Sequence, residues 1–332
     1  MDFEYEINKW WISNGDKLIE YADAIIFLLF LIAVLYIFIF SLASLKKTRN
    51  KYPPARKKHR FAIDYLSTKT EKCEMVVIMD ANNIVNSSFL NKLNDAYYSG
   101  CLAIQAHRVA KNRNTNTAVL DAVSEEINNS IFRSGHTCLG FSSALIGSGM
   151  AFDYDWFRHY IFNADHLGLP KQLESMLLSQ NIYIEFLEDV YIYDEKIETT
   201  RQFYEQRRRW IASQLANLFS GLRKLPWAFF SGNWDYCDKL LQWMMPPRII
   251  LLGFLIIFSF TATWFGWSLS FKWWGITFVL IISLFMVIPD YLVDKRFRKA
   301  IGNLPILFLL MFINLFRFRG ASKKFIRTKH TS

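Results

Sequence analysis

The chain has 332 residues, a formal net charge of +10, and a composition that is 52% hydrophobic and 17% aromatic. This apolar content is high for a soluble protein, and the apolar residues form long continuous blocks. The Lys and Arg residues lie directly beside those blocks, as they do at membrane boundaries, which argues against a nucleic acid as the partner.

The apolar blocks predict membrane helices. Residues 24–45 carry no charge and are long enough to cross a hydrocarbon core of about 30 Å. This block is longer than the apolar region of a signal peptide and lacks a small-residue cleavage site, so it predicts a retained anchor. Residues 248–267 and 273–293 predict two further spans, joined by a turn at 268–272. The shorter run 304–316 is predicted to be an interfacial helix.

The distribution of basic residues predicts the orientation in the membrane. Lys and Arg are concentrated in residues 46–60 and in the tail 294–332, whereas the N-terminal segment 1–23 is mainly acidic. Cytoplasmic loops carry the excess of Lys and Arg, so residues 46–247 are predicted to be cytoplasmic and segment 1–23 extracytoplasmic. The chain is therefore predicted to be a multi-pass protein of the cell (inner) membrane that contacts membrane lipids.

The cysteines give no sign of a metal site or of disulfides. They are far apart in the sequence, with no C-x-x-C pair and no His at the spacing of metal ligands. Reduced and mostly buried thiols are predicted for all of them, namely Cys73, Cys101, Cys138 and Cys237.

After a basic linker at 46–73, the pattern alternates between strand and helix. Residues 74–79 form an apolar run typical of a buried strand of parallel type, and the polar sequence Asp80-Ala81-Asn82-Asn83 follows it. Open α/β sheets bind ligands beyond the C-terminal ends of such strands. Residues 87–99 then predict a helix.

The alternation continues through a predicted α/β domain at 74–205. The predicted strands are 102–106, 182–186 and 190–193, and the predicted helices are 115–133 and 171–178. A helix at 207–222 places its apolar residues on one stripe, which suits a helix lying on a membrane surface. Region 206–247 is therefore predicted to consist of interfacial helices.

The interfacial region opens with Gln206-Arg207-Arg208-Arg209-Trp210. At Q-x-x-R-W spacing, an amide, a fixed cation and an aromatic face lie on adjoining turns of one helix. Arg holds diphosphate oxygens through paired hydrogen bonds, and an indole offers a surface on which a sugar ring can stack. The alternative is a surface charge run that ends in a buried Trp.

These motifs occur together. The motifs are a strand followed by Asp80-Ala81-Asn82-Asn83, the segment Gly147-Ser148-Gly149-Met150, the pair Glu188-Asp189, and Gln206-x-x-Arg209-Trp210 before paired apolar helices. In these motifs the chain resembles membrane-integrated family 2 glycosyltransferases. This group has a GT-A catalytic domain and includes cellulose, chitin and hyaluronan synthases. The resemblance extends from the first anchor to the basic tail.

The resemblance implies a fold and a reaction. The fold is an α/β GT-A-like cytosolic domain combined with α-helical transmembrane segments. The reaction is transfer of a sugar, with inversion, from a nucleotide-sugar donor to a glycan or lipid-linked acceptor, with export or synthase subunits as candidate partners. The alternatives are a catalytically inactive membrane scaffold or synthase subunit and a small transporter. The predicted spans contain almost no interior charge, which disfavours transport.

The resemblance assigns a metal-binding role to two residues. Asp80 and Asn82 occupy the D-x-D position that holds Mg²⁺ or Mn²⁺ on the donor diphosphate. Asn82 departs from the family pattern, and its neutral amide supplies one negative charge fewer to the cation. The alternative for Asp80 is a turn or helix-capping residue after a strand.

Other matches concern the donor and acceptor. Gly147, Ser148 and Gly149 match the segment that lines the acceptor side, where small residues let a sugar approach the backbone; an ordinary tight turn is the alternative. Gln206, Arg209 and Trp210 match in full. His107 and Arg108, at a predicted strand end, are expected to be a solvated surface pair rather than phosphate ligands.

The catalytic base of the family is missing from its position. In the family an Asp of a Glu-Asp pair begins the helix upstream of the Q-x-x-R-W helix and accepts the proton of the acceptor hydroxyl. Here that position holds Leu169 and Pro170. Asp165 and Glu174 are the candidate substitutes, and Glu188-Asp189 is a further candidate that is expected to support the fold.

The sequence between Arg60 and Asp80 is also too short for the family pattern. A GT-A domain opens with a β-α-β-α-β unit that binds the nucleotide, and each parallel crossover needs a dozen or more residues. This interval has room for one short helix and one strand. We therefore expect that the nucleotide-binding half is lacking and that the activity is impaired.

Overall fold

The computed structural model describes residues 2–46, 52–59, 61–63, 73–161 and 168–317. The helices are α1 (Asp2–Leu45), α2 (Phe89–Tyr98), α3 (Asn116–Asn129), α4 (His136–Cys138), α5 (Tyr154–Ile161), α6 (Leu169–Ser179), α7 (Thr200–Leu222), α8 (Leu225–Phe230), α9 (Trp234–Met244), α10 (Arg248–Phe265), α11 (Trp267–Met286), α12 (Lys295–Ile301) and α13 (Leu304–Arg317). A π-helical turn spans Ser130–Gly135, and a 3₁₀ turn spans Asp290–Leu292.

The strands are β1 (Phe61–Ile63), β2 (Met75–Ile78), β3 (Ile84–Val85), β4 (Ala103–Ala110), β5 (Met150–Asp153) and β6 (Ile184–Asp194). They form one mixed sheet in the order β1-β2-β5-β4-β6-β3. The strand predicted to be of parallel type, β2, is parallel to β1 and antiparallel to β5. β4 is antiparallel to β5 and parallel to β6, and β3 is antiparallel to β6.

Each face of the sheet packs against a different helical layer, because side chains alternate along a strand. Val76 and Phe152 belong to one apolar cluster with Leu173 of α6 and with α9. Met75 belongs to a second cluster with Phe89 of α2. A third cluster joins α1, α3, α7, α10, α11 and α13 and links the sheet domain to the apolar helices.

The two strands predicted at 182–186 and 190–193 are one strand, β6. The predicted strands are separated by the polar pair Glu188-Asp189, but β6 stays paired with β4 on both sides of this pair. Ala106 pairs with Leu187, whereas His107 pairs with Tyr191, so the intervening residues form a bulge. Backbone pairing with a neighbouring strand thus continues through a polar interruption of the apolar pattern.

The expectation that His107 and Arg108 form a solvated pair beyond a strand end is wrong. Both lie inside β4, and Arg108 is only 8% exposed. Its Nη2 donates to Glu125 Oε2 at 2.8 Å. A charge can be buried at this position because a carboxylate from α3 lies against it.

The apolar helices differ from the predicted spans at their ends. Within the described part of the chain, Lys17–Leu45 is the one helix long and apolar enough to cross a membrane, and up to three spans result if each bent helix pair is one span. The bent pairs are α9 with α10, at 58°, and α12 with α13, at 52°. No turn occupies 268–272, because α11 begins directly after Gly266 and ends at Met286 rather than at residue 293.

The anchor helix packs against the sheet domain at its C-terminal end. A Cβ on Gly135 of the π-helical turn would overlap the backbone oxygen of Phe40, so the two segments are in close contact. The Tyr36 hydroxyl donates to Asp238 Oδ1 at 2.8 Å and lies 2.8 Å from His136 Nε2. α1 is therefore continuous with the core of the sheet domain.

Part of the predicted basic linker lies on the sheet domain. The Ala55 N–H donates to Asp95 Oδ1 at 2.8 Å, and the His59 N–H donates to Asn94 Oδ1 at 2.7 Å. Both acceptors lie on α2. Residues 52–59 thus form a strap along α2.

Candidate active site

The polar sequence after β2 forms a tight turn. The Asn83 N–H donates to the Asp80 carbonyl at 3.0 Å, and Asn83 Oδ1 accepts from the Asp80 N–H at 2.9 Å. These paired bonds fix the turn and leave Asp80 at the surface. Asn82 Nδ2 donates to Glu195 Oε2 at 3.4 Å.

The segment Gly147-Ser148-Gly149 lies directly beside this turn. Ser148 Oγ donates to Asn83 Oδ1 and accepts from the Asp80 N–H at 3.4 Å. The Gly149 N–H donates to the carbonyl of Ile78, the last residue of β2, at 2.9 Å. The structure therefore brings together the predicted metal-binding and acceptor-side segments.

Gln105, which sequence reasoning did not select, holds the glycine segment in place. This side chain is fully buried in β4. Its Nε2 donates to the Ser148 carbonyl at 3.0 Å, and its Oε1 accepts from the Ile146 N–H at 3.0 Å. A polar residue in the middle of an apolar strand was the available signal, since buried polar groups need partners.

The glycines of this segment are required by backbone shape and by space. Gly147 has φ 98° and Gly149 has φ 70°, both in the left-handed region that favours glycine. A Cβ on Gly149 would lie 2.9 Å from Ile192 Cγ2, and one on Gly147 would lie 3.2 Å from Pro170 Cγ. The second contact places the segment against the start of α6.

The start of α6 is where the resemblance predicts the catalytic base. Leu169 and Pro170 occupy the first turn, and the preceding Gly168 has φ 89°. A Cβ on Gly168 would overlap Ser213 Oγ of α7, so the first turn of α6 touches the helix that carries Gln206. Asp165 lies outside the described residues.

Glu174 is fully buried within α6. Its Oε1 accepts from the Leu145 N–H at 2.5 Å. Its Oε2 accepts from Lys171 Nζ at 3.0 Å and from Trp243 Nε1 at 3.2 Å. These contacts join α6 to α9 and to the segment that leads into Gly147, so the carboxylate supports the packing of the site.

Glu188 and Asp189 lie in the bulge of β6. The Glu188 carbonyl lies 2.9 Å from His107 Nδ1, and the Asp189 carbonyl accepts from Lys92 Nζ at 2.8 Å. These backbone contacts link the bulge to β4 and α2, in agreement with the expected support of the fold.

A buried ionic network lies behind the Asp80 turn. Asn83 Nδ2 donates to Asp194 Oδ1 at 3.0 Å, and Arg108 lies 3.4 Å from Asp194 Oδ2. Arg108 also contacts Glu125, whose other oxygen lies 3.3 Å from Arg133 Nη1. The network thus connects the turn to α3.

Burial and ion pairing shift the pKa of Glu125 in opposite directions. Burial alone would raise its pKa, but the attraction of Arg108, Lys196 and Arg133 outweighs burial and holds the pKa well below its ordinary value. Glu125 is therefore charged at neutral pH and balances the surrounding cations.

The Q-x-x-R-W residues lie in the second and third turns of α7. The helix begins with a reciprocal cap in which Thr199 and Gln202 bond to each other's backbone N–H groups. Trp210 is 37% exposed, so the alternative of a buried Trp at the end of a charge run is wrong. Gln206 and Arg209 are half-buried. The Arg207 guanidinium carbon lies 4.3 Å from the centroid of the Trp210 ring.

Asp80 and Asn82 supply the oxygen atoms that a divalent cation prefers. Mg²⁺ is commonly bound by one or two carboxylates together with substrate phosphates rather than by a complete protein cage. In the described residues no group of three or more His, Cys, Asp or Glu could hold a metal ion. A cation here would depend on oxygens of a bound diphosphate.

The mixed sheet and its helices define an α/β domain that adjoins a group of apolar helices. The model of Glycosyl transferase family group 2 matches residues 75–318, and the chain therefore belongs to this family. No protein with a curated description matches the chain. Family membership supports glycosyl transfer from a nucleotide-sugar donor to an acceptor, and the mixed sheet with its helices fits an α/β glycosyltransferase domain.

Proposed function

We propose that this chain is a membrane glycosyltransferase that moves a sugar, with inversion, from a nucleotide-sugar to a glycan or lipid-linked acceptor. One observation carries the proposal. An unbroken series of contacts runs from the Asp80 turn through Ser148 to Gly147, from Gly147 to Pro170, and from Gly168 to α7. The segments proposed for the donor side and the acceptor side are thereby adjacent, and the helix that carries Gln206, Arg209 and Trp210 lies against the start of α6 at Ser213.

On the donor side, Asp80 and Asn82 are the proposed ligands of Mg²⁺ or Mn²⁺. Such a cation, when bound, neutralises charge on the departing diphosphate. Asp80 is exposed beyond the end of β2, where a ligand can reach it. Asn82 contributes a neutral oxygen, so we expect weaker metal binding than at a site with two carboxylates.

On the acceptor side, Trp210 is the proposed stacking surface for a sugar ring, and Arg209 with Gln206 provides polar contacts. The exposed part of the Trp210 side chain supports this role. Arg209 can form paired hydrogen bonds with diphosphate oxygens, as guanidinium groups do. The half-buried Gly147 is the proposed backbone contact of the acceptor in the glycine segment, whereas Gly149 is buried against Ile192.

Proton removal from the acceptor is the weak point of the proposed reaction. Neither Leu169 nor Pro170 can accept a proton. Glu174 was a candidate substitute, but its carboxylate is buried and accepts three hydrogen bonds. Asp165 is the remaining proposed base. We expect a slow reaction, because general-base assistance contributes about 10²–10⁴ in rate.

Contacts of α1 underlie the proposed location. At the start of the apolar part of α1, Asp23 pairs with Lys272 and accepts from Trp273 Nε1 at 2.9 Å, so these segments lie on the same side. Farther along α1, Tyr36 contacts His136 of the sheet domain. We propose a multi-pass protein in which both Asp23 and Lys272 lie near the extracytoplasmic surface.

The region predicted to be interfacial carries exposed aromatic side chains. On α8, Trp227 and Phe229 are more than half exposed and Phe230 is 87% exposed. Lys224 caps this helix. Aromatic rings beside basic residues are enriched at membrane–water interfaces. We propose that α8 lies in the interfacial layer of the lipid.

A catalytically inactive scaffold or synthase subunit is the second candidate function. It is favoured by the first turn of α6, which has the family's helix start without its carboxylate. The scaffold function is also favoured if the nucleotide-binding half is lacking. In the described residues, β1 is the one strand before β2.

Calorimetric titration of the purified chain with uridine and guanosine diphosphates plus Mn²⁺ separates the two candidates. We expect weak, metal-dependent binding that Asp80→Asn removes and that Asp155→Asn, a change at an exposed carboxylate of α5, leaves intact. Binding that is absent, or indifferent to Asp80→Asn, favours the scaffold. Tight binding would contradict the lack of the nucleotide-binding half.

A further inference from the structure

Arg207 lies inside the Q-x-x-R-W segment without being one of its named residues. Its side chain is 12% exposed, although it begins on the same turn as Gln206. The guanidinium lies 5.0 Å from the Phe203 ring centroid and 4.3 Å from the Trp210 ring centroid. Phe203 and Trp210 flank Arg207 at helical spacing, so the cation lies between two rings on one face of α7.

A carboxylate from another element holds this cation in place. Arg207 Nη2 donates to Asp121 Oδ1 of α3 at 2.5 Å, and both side chains are nearly buried. In the described part of the chain, Asp121 is the carboxylate that pairs with Arg207. A buried pair resists separation, because either charge left alone would lack compensation. The guanidinium therefore cannot swing away from Trp210 without loss of the ion pair.

The same helix also supports the opposite side of the site. Asp121 and Glu125 lie one turn apart on α3, and Glu125 holds Arg108, which contacts Asp194. Asp194 accepts from Asn83 of the turn that contains Asp80. One face of α3 thus links the Asp80 turn with the Trp210 side chain.

We propose that Arg207, anchored by Asp121, is a positioning residue that fixes the orientation of the Trp210 ring. The cation covers one face of the indole, so a sugar can stack only on the opposite face. The stacking of a sugar rests on the proposed function, whereas the fixed orientation of the ring does not. α3 then sets the distance between the donor side and the acceptor side.

The orientation is tested on the full-length chain in detergent, labelled with 5-fluorotryptophan and observed by ¹⁹F NMR. Trp210→Phe assigns the Trp210 resonance among those of the 11 tryptophans. We expect Asp121→Asn and Arg207→Met each to shift that resonance and to leave the others in place. The double variant should match Arg207→Met, because Asp121 acts on Trp210 only through Arg207.

Arg201→Met is the matched control. It removes an exposed Arg from the same helix, whose ion pair in the described part of the chain is with Glu205 at 3.4 Å. It should leave the Trp210 resonance unchanged. A Trp210 resonance that is unmoved by Asp121→Asn overturns the proposal. Shifts spread over all tryptophans overturn it as well, since they indicate general loss of structure.

Titration with cellotetraose and chitotetraose then tests separately whether a sugar binds to Trp210. We expect a saturable shift of the Trp210 resonance and about tenfold weaker binding in Arg207→Met, the order expected for loss of a partly desolvated cation–π contact. If neither sugar affects Trp210 while Asp121→Asn still shifts it, the positioning stands and the proposed acceptor site fails.

Discussion

The Q-x-x-R-W helix and the start of α6 are in contact and both belong to the proposed site, yet they differ in which family residues they carry. α7 has all three family residues, a reciprocal N-terminal cap and an exposed Trp210. α6 has the helix start, the left-handed Gly168 and close contact with Gly147, but no carboxylate in its first turn. The start of α6 is thus a well-packed helix terminus in this chain, without an ionisable group at 169–170.

The difference shows that packing and chemistry depend on different atoms. Pro170 fits the first turn of a helix because its fixed φ suits that position and its missing N–H would have no helical partner. Glu174 then ties α6 to Leu145 and Trp243. None of these interactions needs an ionisable group at residue 170, so α6 can persist without a base.

The largest expected effect comes from restoring the carboxylates. Leu169→Glu with Pro170→Asp places the family's pair at the start of α6, where acidic residues also favour the helix. We expect turnover, measured as release of nucleoside diphosphate, to rise by about 10²–10⁴. The measurement compares this variant with the unmodified chain at the highest soluble donor concentration.

The matched control is Leu169→Gln with Pro170→Asn, which has similar shape but cannot accept a proton. It should not raise turnover. Equal rates in both double variants would show that α6 is not the position of the base. Asp165→Asn in the unmodified chain then tests the remaining candidate, and we expect it to lower the residual rate.

The second prediction concerns the ionic network on α3, which connects the Asp80 turn with α7. Glu125→Gln leaves Arg108, Arg133 and Lys196 without their shared carboxylate. Removal of one partner from a buried ion pair costs about 3–5 kcal/mol. We expect a correspondingly lower unfolding temperature in detergent. Glu205→Gln, at a largely exposed pair on α7, should change little.

The pH dependence provides an independent check on Glu125. Its pKa is lowered in the folded chain, so it binds fewer protons folded than unfolded. Its contribution to stability is therefore complete above the unfolded value of about 4.3 and is lost as the pH falls toward the folded pKa. Unfolding temperatures of the unmodified chain and Glu125→Gln should converge below that value. A constant difference down to pH 3 would contradict this assignment.

The third prediction addresses the donor side. Asp80→Asn removes the one carboxylate of the D-x-D position, and a charge-assisted contact contributes about 1.5–3 kcal/mol. We expect diphosphate binding with Mn²⁺ to weaken by roughly 10–100-fold. Asn82→Asp should have the opposite effect, since it supplies the second negative charge. If Asn82→Asp weakens metal-dependent binding, these residues are not the metal ligands.

The sequence predicted the parts of this site that depend on local pattern. The strand that ends before Asp80 lies where the apolar pattern placed it. The helix that contains Trp210 ends at Leu222 as predicted, but it begins at Thr200 rather than at residue 207. Arg108 was expected to be solvated, because its burial depends on Glu125 and Asp194, which are distant in the sequence. β6 was divided into two strands, because the pairing that continues through its bulge comes from β4.

Residues that act through tertiary contacts gave weaker signals. Gln105 interrupts an apolar strand, yet the carbonyl of Ser148 that it contacts belongs to another segment. The pairing of Arg207 with Asp121 has no local pattern, since the two residues meet only when α3 packs on α7. Such contacts decide how the site is held together, and residue spacing does not encode them.

The smallest expected effect concerns Gly147, where backbone strain and packing against Pro170 at the start of α6 can be measured separately. Gly147 and Gly140 both have left-handed backbones, with φ 98° and 83°. A Cβ at Gly140 meets nothing within 4 Å, whereas one at Gly147 lies 3.2 Å from Pro170 Cγ. We expect Gly140→Ala to cost about 1–2 kcal/mol from strain alone. Gly147→Ala should cost slightly more, because the ring of Pro170 must shift.

Thermal unfolding of both variants, repeated with Pro170→Ala, measures the difference in unfolding free energy. If the extra cost survives Pro170→Ala, the glycine segment is not held against the start of α6.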